Sequence, residues 1–229
     1  MGSWQNEPMD HEPLATLELG NTDDATHSFL WLHGLGDTGH GHADVVEMLD
    51  FPDGVRARFV LPHAPSRPVT VNMGMIMPAW YDIRQLGGGQ HDSKGIELSA
   101  EKIRDLVDQE VSRGVPAERI FVCGFSQGGV VALKVALEYP SRLAGAIGLS
   151  TYLADDGSLA TSAHDANADL EFFLGHGTHD PMVPFAALAH ARTTLENLGH
   201  QVTVGTYPME HSLCDEELAD ISKWLEPLL

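Results

Sequence analysis

Basic residues are scarce in this sequence. Lys and Arg together number 13 among 229 residues, whereas Asp and Glu number 33, so the formal net charge at pH 7 is −20. Such a surface repels phosphate backbones and anionic lipid headgroups, which argues against nucleic acid as a partner. The acids are spread along the chain, as is typical of a highly solvated surface. Adaptation to a salty environment, where repulsion is screened, is a hypothesis that follows.

Cysteine and long apolar runs are also scarce. The two cysteines, Cys123 and Cys214, are too few for an extracellular disulfide framework. No apolar run reaches the roughly 18 residues of a membrane span, so the sequence predicts no stable membrane insertion. Residues 1–28 are polar and acidic without a secretory apolar segment, and residues 1–13 are interpreted as a flexible acidic extension. We therefore expect a cytoplasmic protein.

The sequence contains a regular alternation of short apolar runs with amphipathic segments. The apolar runs predict strands at residues 28–32, 58–61, 120–123, 144–149, 170–174 and 201–207. The amphipathic segments predict helices at residues 99–113, 127–138, 184–198 and 215–227. This alternation predicts a single α/β domain over residues 1–229, with a mostly parallel, doubly wound sheet flanked by helices. Two long connections, 62–98 and 151–169, interrupt it, and connections of this length are usually functional.

One turn between a predicted strand and a predicted helix reads Gly124-Phe-Ser-Gln-Gly128. This is the G-x-S-x-G pattern of a nucleophile elbow, in the strand–turn–helix context that the elbow requires. A serine at the tip of such a turn points away from the sheet toward a substrate, and the two glycines leave room for the strained backbone. The pattern predicts Ser126 as a nucleophile.

Two further residues follow later strands in the chain order serine, acid, histidine. Asp180 comes just after strand 170–174, and His211 comes just after strand 201–207. His211 would accept the proton of Ser126 as general base, and Asp180 would orient the imidazole and stabilise its charged form. His176 and His179 follow the same strand as the acid, and Glu210 comes after the later strand, so all three are weaker candidates.

Backbone amides complete the predicted site. The segment His33-Gly-Leu-Gly36 follows an early strand, and its glycines let the backbone approach a substrate oxygen. We assign the N–H groups of Leu35 and Gln127 as the donors of an oxyanion hole, the second because it begins a helix.

These stretches, taken together, resemble the phospholipase/carboxylesterase family, which includes bacterial carboxylesterases and eukaryotic acyl-protein thioesterases. The matching segments run in order over residues 30–212. They are Trp31–Asp37, Phe59–Pro62 with Ala64-Pro65, Pro78–Asp82, Gly124–Gly129, Leu149–Tyr152, Gly175–Pro181 and Tyr207–His211. The acidic extension and the tract Gln85–Ser93 are not part of this set of motifs.

The resemblance implies an α/β-hydrolase fold without a large cap domain. It implies ester or thioester hydrolysis through an acyl-enzyme, with no cofactor and no metal, and it supports the assignments of the triad and the oxyanion donors. It also implies that the loop from Met73 to Trp80 lines an acyl-binding groove, with Met73, Met75, Met77 and Trp80 as substrate-binding residues. Flexible methionines beside a tryptophan fit a site that accepts varied acyl chains.

Two other classes of function compete with this interpretation. His40-Gly-His42-Ala-Asp44 has the form H-x-H-x-D of a metallohydrolase motif, but Val45 follows where such motifs usually end in a further His. A non-catalytic binding module on a hydrolase fold is the second alternative, and it would be expected to have lost a triad residue or an oxyanion glycine.

The sequence as a whole predicts a serine carboxylesterase that acts on small-molecule esters with short to medium acyl chains. Acyl-protein thioesterase or lysophospholipase activity at the same triad is the alternative. An apolar loop at the rim of the active site is compatible with either a monomer or a weak homodimer.

Overall fold

A computed structural model of the chain describes residues 12–85, 91–155, 157 and 159–229. Most of the extension predicted over residues 1–13 and the tract Gly87–Gly89 therefore lie outside the described residues. In the described part of the chain, none of the helices has both the length and the apolar character needed to span a bilayer.

A seven-stranded sheet forms the centre of the fold. Its strands, in chain order, are β1 (Thr16–Gly20), β2 (His27–Leu32), β3 (Ala57–Pro62), β6 (Ile120–Phe125), β7 (Gly145–Leu149), β8 (Glu171–Gly177) and β9 (Gln201–Tyr207), and their order in the sheet is β1-β3-β2-β6-β7-β8-β9. All neighbours pair in parallel except β1, which is antiparallel to β3. The predicted mostly parallel sheet is confirmed, and the six predicted strands are six of these seven.

Strand β1 is the one strand of the sheet that the sequence did not predict. It lies at the edge, where only one face is covered, so Leu17 and Leu19 alternate with polar residues and are only partly buried. The central strands are covered on both faces and are continuously apolar, which made them recognisable. A short alternating pentapeptide carries a weaker signal.

Helices cover both faces of the sheet. They are α1 (Ala43–Glu47), α2 (Ser93–Arg113), α3 (Gln127–Glu138), α4 (Leu159–Ser162), α5 (Ala186–Asn197) and α6 (Asp215–Leu225). Successive residues of β2 point to opposite faces, as the two-residue period of a strand requires. Leu30 and Leu32 belong to an apolar cluster that includes residues of α2, α3 and α5, whereas Phe29 and Trp31 belong to one that includes residues of α1 and α6. The core thus consists of two apolar layers separated by the sheet.

The long connection after β3 folds into structure of its own. It contains an antiparallel hairpin of β4 (Ser66–Val69) and β5 (Met75–Pro78), and helix α2 begins at Ser93 instead of the predicted residue 99. The earlier start has a local cause, because the Asp92 side chain caps the helix by accepting a hydrogen bond from Gly95 N–H at 3.1 Å. Within the described residues, neither long connection forms a large cap domain.

Candidate active site

The turn from β6 into α3 holds Ser126 in a strained backbone conformation. Ser126 has φ 53° and ψ −119°, a combination that few residues other than glycine adopt. The strain is possible because the flanking positions carry no side chain. A Cβ on Gly124 would lie 2.5 Å from backbone atoms of Gly128, and one on Gly128 would lie 2.5 Å from the carbonyl oxygens of Leu32 and His33. The two glycines are therefore sterically required.

Neighbouring strands anchor this turn. The Ser126 N–H donates to the carbonyl of Leu149 at the end of β7 at 2.8 Å. The hydroxyl of Thr151, two residues further along, donates to the carbonyl of Ser126 at 2.7 Å. The backbone of the strained residue is thus fixed on both sides of its side chain, which leaves the hydroxyl free to face the cavity above the sheet.

Ser126, His211 and Asp180 form a continuous hydrogen-bonded chain. His211 Nε2 lies 2.9 Å from Ser126 Oγ, and His211 Nδ1 lies 2.7 Å from Asp180 Oδ2. Because a carboxylate oxygen accepts, Nδ1 carries the proton, and the lone pair of Nε2 faces the serine hydroxyl. The three residues come from loops after β6, β8 and β9, which end at the same edge of the parallel sheet. This geometry allows a proton to pass from the hydroxyl to the imidazole.

The other carboxylate oxygen of Asp180 is held by the backbone. Oδ1 accepts from the N–H groups of Met182 at 2.7 Å and Val183 at 2.9 Å, and the side chain is fully buried. The carboxylate is therefore oriented before any substrate arrives. The His211 side chain retains 18% of its exposure and packs against the ring of Phe125, with centroids 4.8 Å apart.

The competing histidines do not stand between Ser126 and Asp180, although His176 Nε2 lies 3.5 Å from Asp180 Oδ2. His176 is buried within β8, and its Nε2–H donates to the carbonyl of Val183 at 3.1 Å. Burial lowers the pKa of His176, so it stays neutral and adds no positive charge beside His211. His179 is exposed, with its ring 3.3 Å from the Thr178 hydroxyl and its backbone N–H donating to the carbonyl of Met209, and Glu210 is exposed at the start of the final loop.

Leu35 and Gln127 both line the cavity that contains Ser126 and His211. Gln127 is the first residue of α3, where an N–H group has no acceptor inside the helix. Among the described residues, no backbone acceptor is found for the N–H of Leu35 or of Gln127. Two unpaired donors beside a nucleophilic hydroxyl can stabilise negative charge on a substrate oxygen.

The cavity beside Ser126 has a volume of about 730 Å³, within the range of about 300–1,000 Å³ that is typical of small-molecule sites. Its lining contains both charged and apolar side chains. The charged ones include Asp82, Arg84 and Asp155. The apolar ones include Val71, Met77, Ile83, Leu153, Val183 and Ala187.

Only one of the four predicted substrate-binding residues lines this cavity, namely Met77. The other three expectations are corrected by the structure. Met73 and Met75 project from the hairpin into solvent, with 95% and 60% exposure. Trp80 is completely buried, and its indole N–H donates to the carbonyl of His33 at 2.8 Å. The sequence marked the loop as apolar, but it could not tell which side chains face the cavity, the solvent or the core.

Two tyrosines of the cavity wall were missed by the sequence reasoning. The hydroxyls of Tyr81 and Tyr152 lie 2.8 Å apart, and the ring of His91 stacks on Tyr152. Tyr81 lies in the family segment Pro78–Asp82 and Tyr152 in the segment Leu149–Tyr152, but neither segment indicated that the two long connections meet here. Met182 and Val183 were also missed, although their position directly after Asp180 was an available signal.

The H-x-H-x-D segment does not converge on a metal position. His42 is buried and accepts from the Trp31 indole N–H at 3.0 Å, and burial lowers its pKa to about 4. His40 stacks on His63, and Asp44 is exposed. Across the described residues, no group of three or more His, Cys, Asp or Glu side chains is arranged to hold a metal ion.

A mostly parallel sheet that carries a strained serine turn, with histidine and carboxylate after later strands, defines an α/β-hydrolase. A model of the phospholipase/carboxylesterase family matches residues 20–229, and the chain belongs to that family. Acyl-protein thioesterase 1 of Gibberella zeae is 39% identical over 226 residues, which cover 94% of this chain and 96% of the relative. The protein of the same name from Neurospora crassa is 40% identical, covering 87% and 86%. The chain is therefore a hydrolase that acts on esters or thioesters.

Solved structures agree with this assignment. SOBER1 of Arabidopsis thaliana superposes with a TM-score of 0.84 at 30% identity, covering 88% of this chain and 98% of that one. Acyl-protein thioesterase 2 of Zea mays superposes with a TM-score of 0.81 at 28% identity, covering 92% and 97%. A carboxylesterase of Bacillus cereus shares the fold, with a TM-score of 0.76 at 19% identity and coverage of 96% and 97%.

Proposed function

We propose that this chain is a serine carboxylesterase that hydrolyses short- to medium-chain esters through an acyl-enzyme. The observation that carries the proposal is the hydrogen-bonded chain of Ser126 Oγ, His211 and Asp180, with distances of 2.9 and 2.7 Å, at the wall of a partly apolar cavity. A nucleophile, a base and an orienting acid in this order match the requirements of acyl transfer.

In the first half of the reaction, Ser126 Oγ attacks the carbonyl carbon of the ester, and His211 Nε2 takes the hydroxyl proton. Asp180 stabilises the imidazolium that forms. The carbonyl oxygen becomes an oxyanion, which the N–H groups of Leu35 and Gln127 stabilise. When the tetrahedral intermediate collapses, the bond to the leaving group breaks and His211 protonates the departing alcohol.

In the second half, water replaces the alcohol as nucleophile. His211 removes a proton from the water as it attacks the acyl-enzyme, and the same two N–H groups stabilise the second oxyanion. Collapse of that intermediate releases the carboxylic acid and returns the proton to Ser126. No cofactor or metal is required for either half.

Small, uncharged esters fit the charge of the protein better than anionic lipid assemblies do. The net charge of −20 opposes approach to an anionic bilayer, which disfavours lysophospholipids presented on such a surface. The apolar lining residues, which include Met77 and Leu153, suit an acyl chain, and the polar lining residues suit the leaving group. Met77 therefore remains in the proposal as a substrate-binding residue, whereas Met73, Met75 and Trp80 do not.

Acyl-protein thioesterase activity is the second candidate, because relatives 39% and 40% identical over most of the chain bear that name. The same residues would perform it, with a thiol as leaving group. The location and assembly predicted from the sequence, a cytoplasmic monomer or weak homodimer, are part of the proposal and are tested by fractionation and by light scattering.

The mechanism is tested by Ser126→Ala, with Ser150→Ala as its matched control. Ser150 also has a positive φ (45°) just after a parallel strand, but it is fully buried and its hydroxyl has no hydrogen-bond partner among the described residues. Ser126→Ala should lower kcat by about 10⁶-fold and abolish labelling by a fluorophosphonate. Ser150→Ala should keep both. Ser126→Ala with substantial turnover would disprove the mechanism.

The substrate is tested with paired esters and thioesters that share one acyl group, with acyl lengths from four to sixteen carbons. We expect the highest kcat/KM for esters with short to medium chains. A clear preference for a palmitoylated cysteine peptide would instead assign the chain as an acyl-protein thioesterase.

A further inference from the structure

The segment Pro78–Tyr81 contacts both elements that carry the proposed oxyanion donors. It begins at the last residue of β5 and belongs to neither donor element, and its residues from Ala79 to Tyr81 are buried, with Trp80 at 0% exposure. Its hydrogen bonds go in two directions. One set reaches the loop His33–Gly36, which carries Leu35, and the other reaches the side chain of Gln127.

The loop that carries Leu35 is held on both sides of that residue. Before it, the indole N–H of Trp80 donates to the His33 carbonyl at 2.8 Å. After it, the N–H of Gly36 donates to the carbonyl of Pro78 at 2.8 Å. Leu35 itself makes no backbone hydrogen bond among the described residues. The position of Leu35 is thus set by hydrogen bonds of its neighbours His33 and Gly36, and both bonds are made to the Pro78–Tyr81 segment.

The His33 side chain adds a third fixed point. Its Nε2 accepts from the N–H of Ala64 at 3.0 Å, so its proton is on Nδ1 and is donated to the carbonyl of Gly34 at 2.7 Å. Burial lowers the pKa of His33, which keeps this neutral form in place. The His33 ring also packs against the indole of Trp80, with centroids 5.2 Å apart.

Gln127 uses its side chain on the same segment while its main-chain N–H faces the cavity. Its Oε1 accepts from the backbone N–H of Trp80 at 2.9 Å, and its Nε2 donates to the carbonyl of Tyr81 at 2.7 Å. The Gln127 amide therefore pairs with the Trp80 N–H and the Tyr81 carbonyl as the backbone of a neighbouring strand would. On the far side, the Ser99 hydroxyl donates to the Trp80 carbonyl.

We propose that Trp80 and the side chain of Gln127 are positioning residues, which together set the spacing between the Leu35 and Gln127 N–H groups. The route is continuous: the Gln127 amide holds the Trp80 backbone, the Trp80 indole holds His33, and His33 leads to Leu35. Neither the indole nor the Gln127 amide needs to touch the substrate. This inference rests on the proposed function, because it assumes that both N–H groups stabilise the oxyanion.

The chemistry makes this spacing important. Two donors must reach one oxygen in its tetrahedral position, and losing a single donor costs about 10²–10³-fold in kcat. Displacing a group by about 1 Å can cost about 10²-fold. Losing the hydrogen bonds of the Trp80 indole or of the Gln127 amide should therefore weaken stabilisation of the transition state. Binding of the substrate ground state in the cavity should stay nearly unchanged.

The test replaces Trp80 with Phe, which removes the indole N–H but keeps an aromatic ring. We expect kcat to fall about 10- to 100-fold, with KM within twofold of the wild-type value. The affinity for a trifluoromethyl ketone, whose adduct with Ser126 carries an oxyanion, should fall in parallel with kcat. A purely structural role would lower the melting temperature without this split between kcat and KM.

Trp31→Phe is the matched control. Trp31 is equally buried, and its indole also donates a hydrogen bond, to His42 at 3.0 Å. It belongs, however, to the apolar cluster on the opposite face of the sheet from Trp80. It should lose thermal stability and keep kcat. Gln127→Met removes the side-chain hydrogen bonds to Trp80 and Tyr81 but preserves the main-chain N–H. It should reproduce the kinetics of Trp80→Phe. It decides the question if Trp80→Phe does not fold.

The inference is overturned if the folded variants have a kcat within threefold of that of Trp31→Phe. It is equally overturned if kcat falls while affinity for the trifluoromethyl ketone stays unchanged. Failure of the proposed function would look different, because the wild-type protein itself would then show no turnover that depends on Ser126.

Discussion

Replacing Glu217 with Gln tests whether a carboxyl group in the core is held uncharged. Glu217 lies in the first turn of α6 and is fully buried, and neither of its oxygens has a hydrogen-bond partner in the described part of the chain. It fits against β8 because residue 175 is glycine, where a Cβ would lie 2.0 Å from Glu217 Oε1. Burial raises the pKa of Glu217 to about 8, and the facing groups Tyr207 and Cys214 offer no positive charge to oppose this.

The sign of the effect follows from comparing the two states. In the unfolded chain the pKa returns to about 4.5, so between pH 4.5 and about 8 the carboxyl is ionised when unfolded and protonated when folded. Unfolding then releases a proton, and the free energy of unfolding falls as the pH rises, by at most about 1.4 kcal/mol per pH unit. Above about pH 8 the penalty is complete and constant. From about pH 5 to about pH 7.5 it grows by on the order of 3 kcal/mol.

Glu217→Gln preserves the shape of the side chain and cannot ionise. The measurement is urea denaturation followed by tryptophan fluorescence, at intervals from pH 5 to pH 8.5, for the variant and the wild-type protein. The variant should gain stability relative to the wild type as the pH rises, and the difference should level off near pH 8. Taking the difference removes the contribution of every other titrating group that the two proteins share.

Glu216→Gln is the control, because Glu216 is the neighbouring residue on the same helix, has the same side chain and is exposed. The difference between Glu217→Gln and the wild type should depend on pH more steeply than the difference between Glu216→Gln and the wild type. If Glu217→Gln showed a constant difference over this range, the carboxyl would be ionised in the folded protein, and the argument from burial would be refuted.

Three further predictions address the turn, the cavity and the surface. Gly128→Ala places a Cβ 2.5 Å from two carbonyl oxygens, so we expect little folded protein; a melting temperature like that of the wild type would contradict the steric argument. Met77→Ala should raise KM for a hexanoyl ester severalfold, whereas Met73→Ala, at a residue 95% exposed, should not; the reverse pattern would contradict the assignment of the cavity wall. Raising NaCl from 0.1 to 1 M shortens the Debye length from about 10 to about 3 Å and should raise the melting temperature of a chain with net charge −20; indifference to both NaCl and KCl would count against salt adaptation.

The sequence predicted the parts of the fold and of the site that depend on local patterns. Strands β2, β3, β6, β7 and β8 were recognisable because they are buried on both faces, and buried parallel strands are continuously apolar. Strand β9, at the other edge of the sheet, was recognisable from its β-branched residues, of which Val202 and Val204 are half-buried. Parallel strands also end at one edge of the sheet. For that reason the positions of Ser126, Asp180 and His211 after their strands were sufficient to predict that they meet, although they are far apart in the chain.

The long connection after β3 could not be predicted in the same way. Its composition indicated an apolar loop, but Met73, Met77 and Trp80 have three different surroundings there: solvent, cavity and core. The difference arises from the β4–β5 hairpin, whose turn carries Met73 into solvent while Met77 lies near the end of β5, and from the hydrogen bond between the Trp80 indole and His33. Both depend on partners remote in sequence, which a single sequence does not identify.

The pattern G-x-S-x-G leaves the residue after the serine open, because any residue other than proline supplies the main-chain N–H that an oxyanion needs. In this chain the side chain at that position has a structural use of its own. The Gln127 amide contacts Trp80 N–H and the Tyr81 carbonyl, which a smaller or apolar side chain could not do. Trp80 in turn donates to His33, which precedes Leu35. We therefore expect the residue type at this open position to affect the second proposed donor, because the long apolar connection contacts both elements of the proposed oxyanion hole.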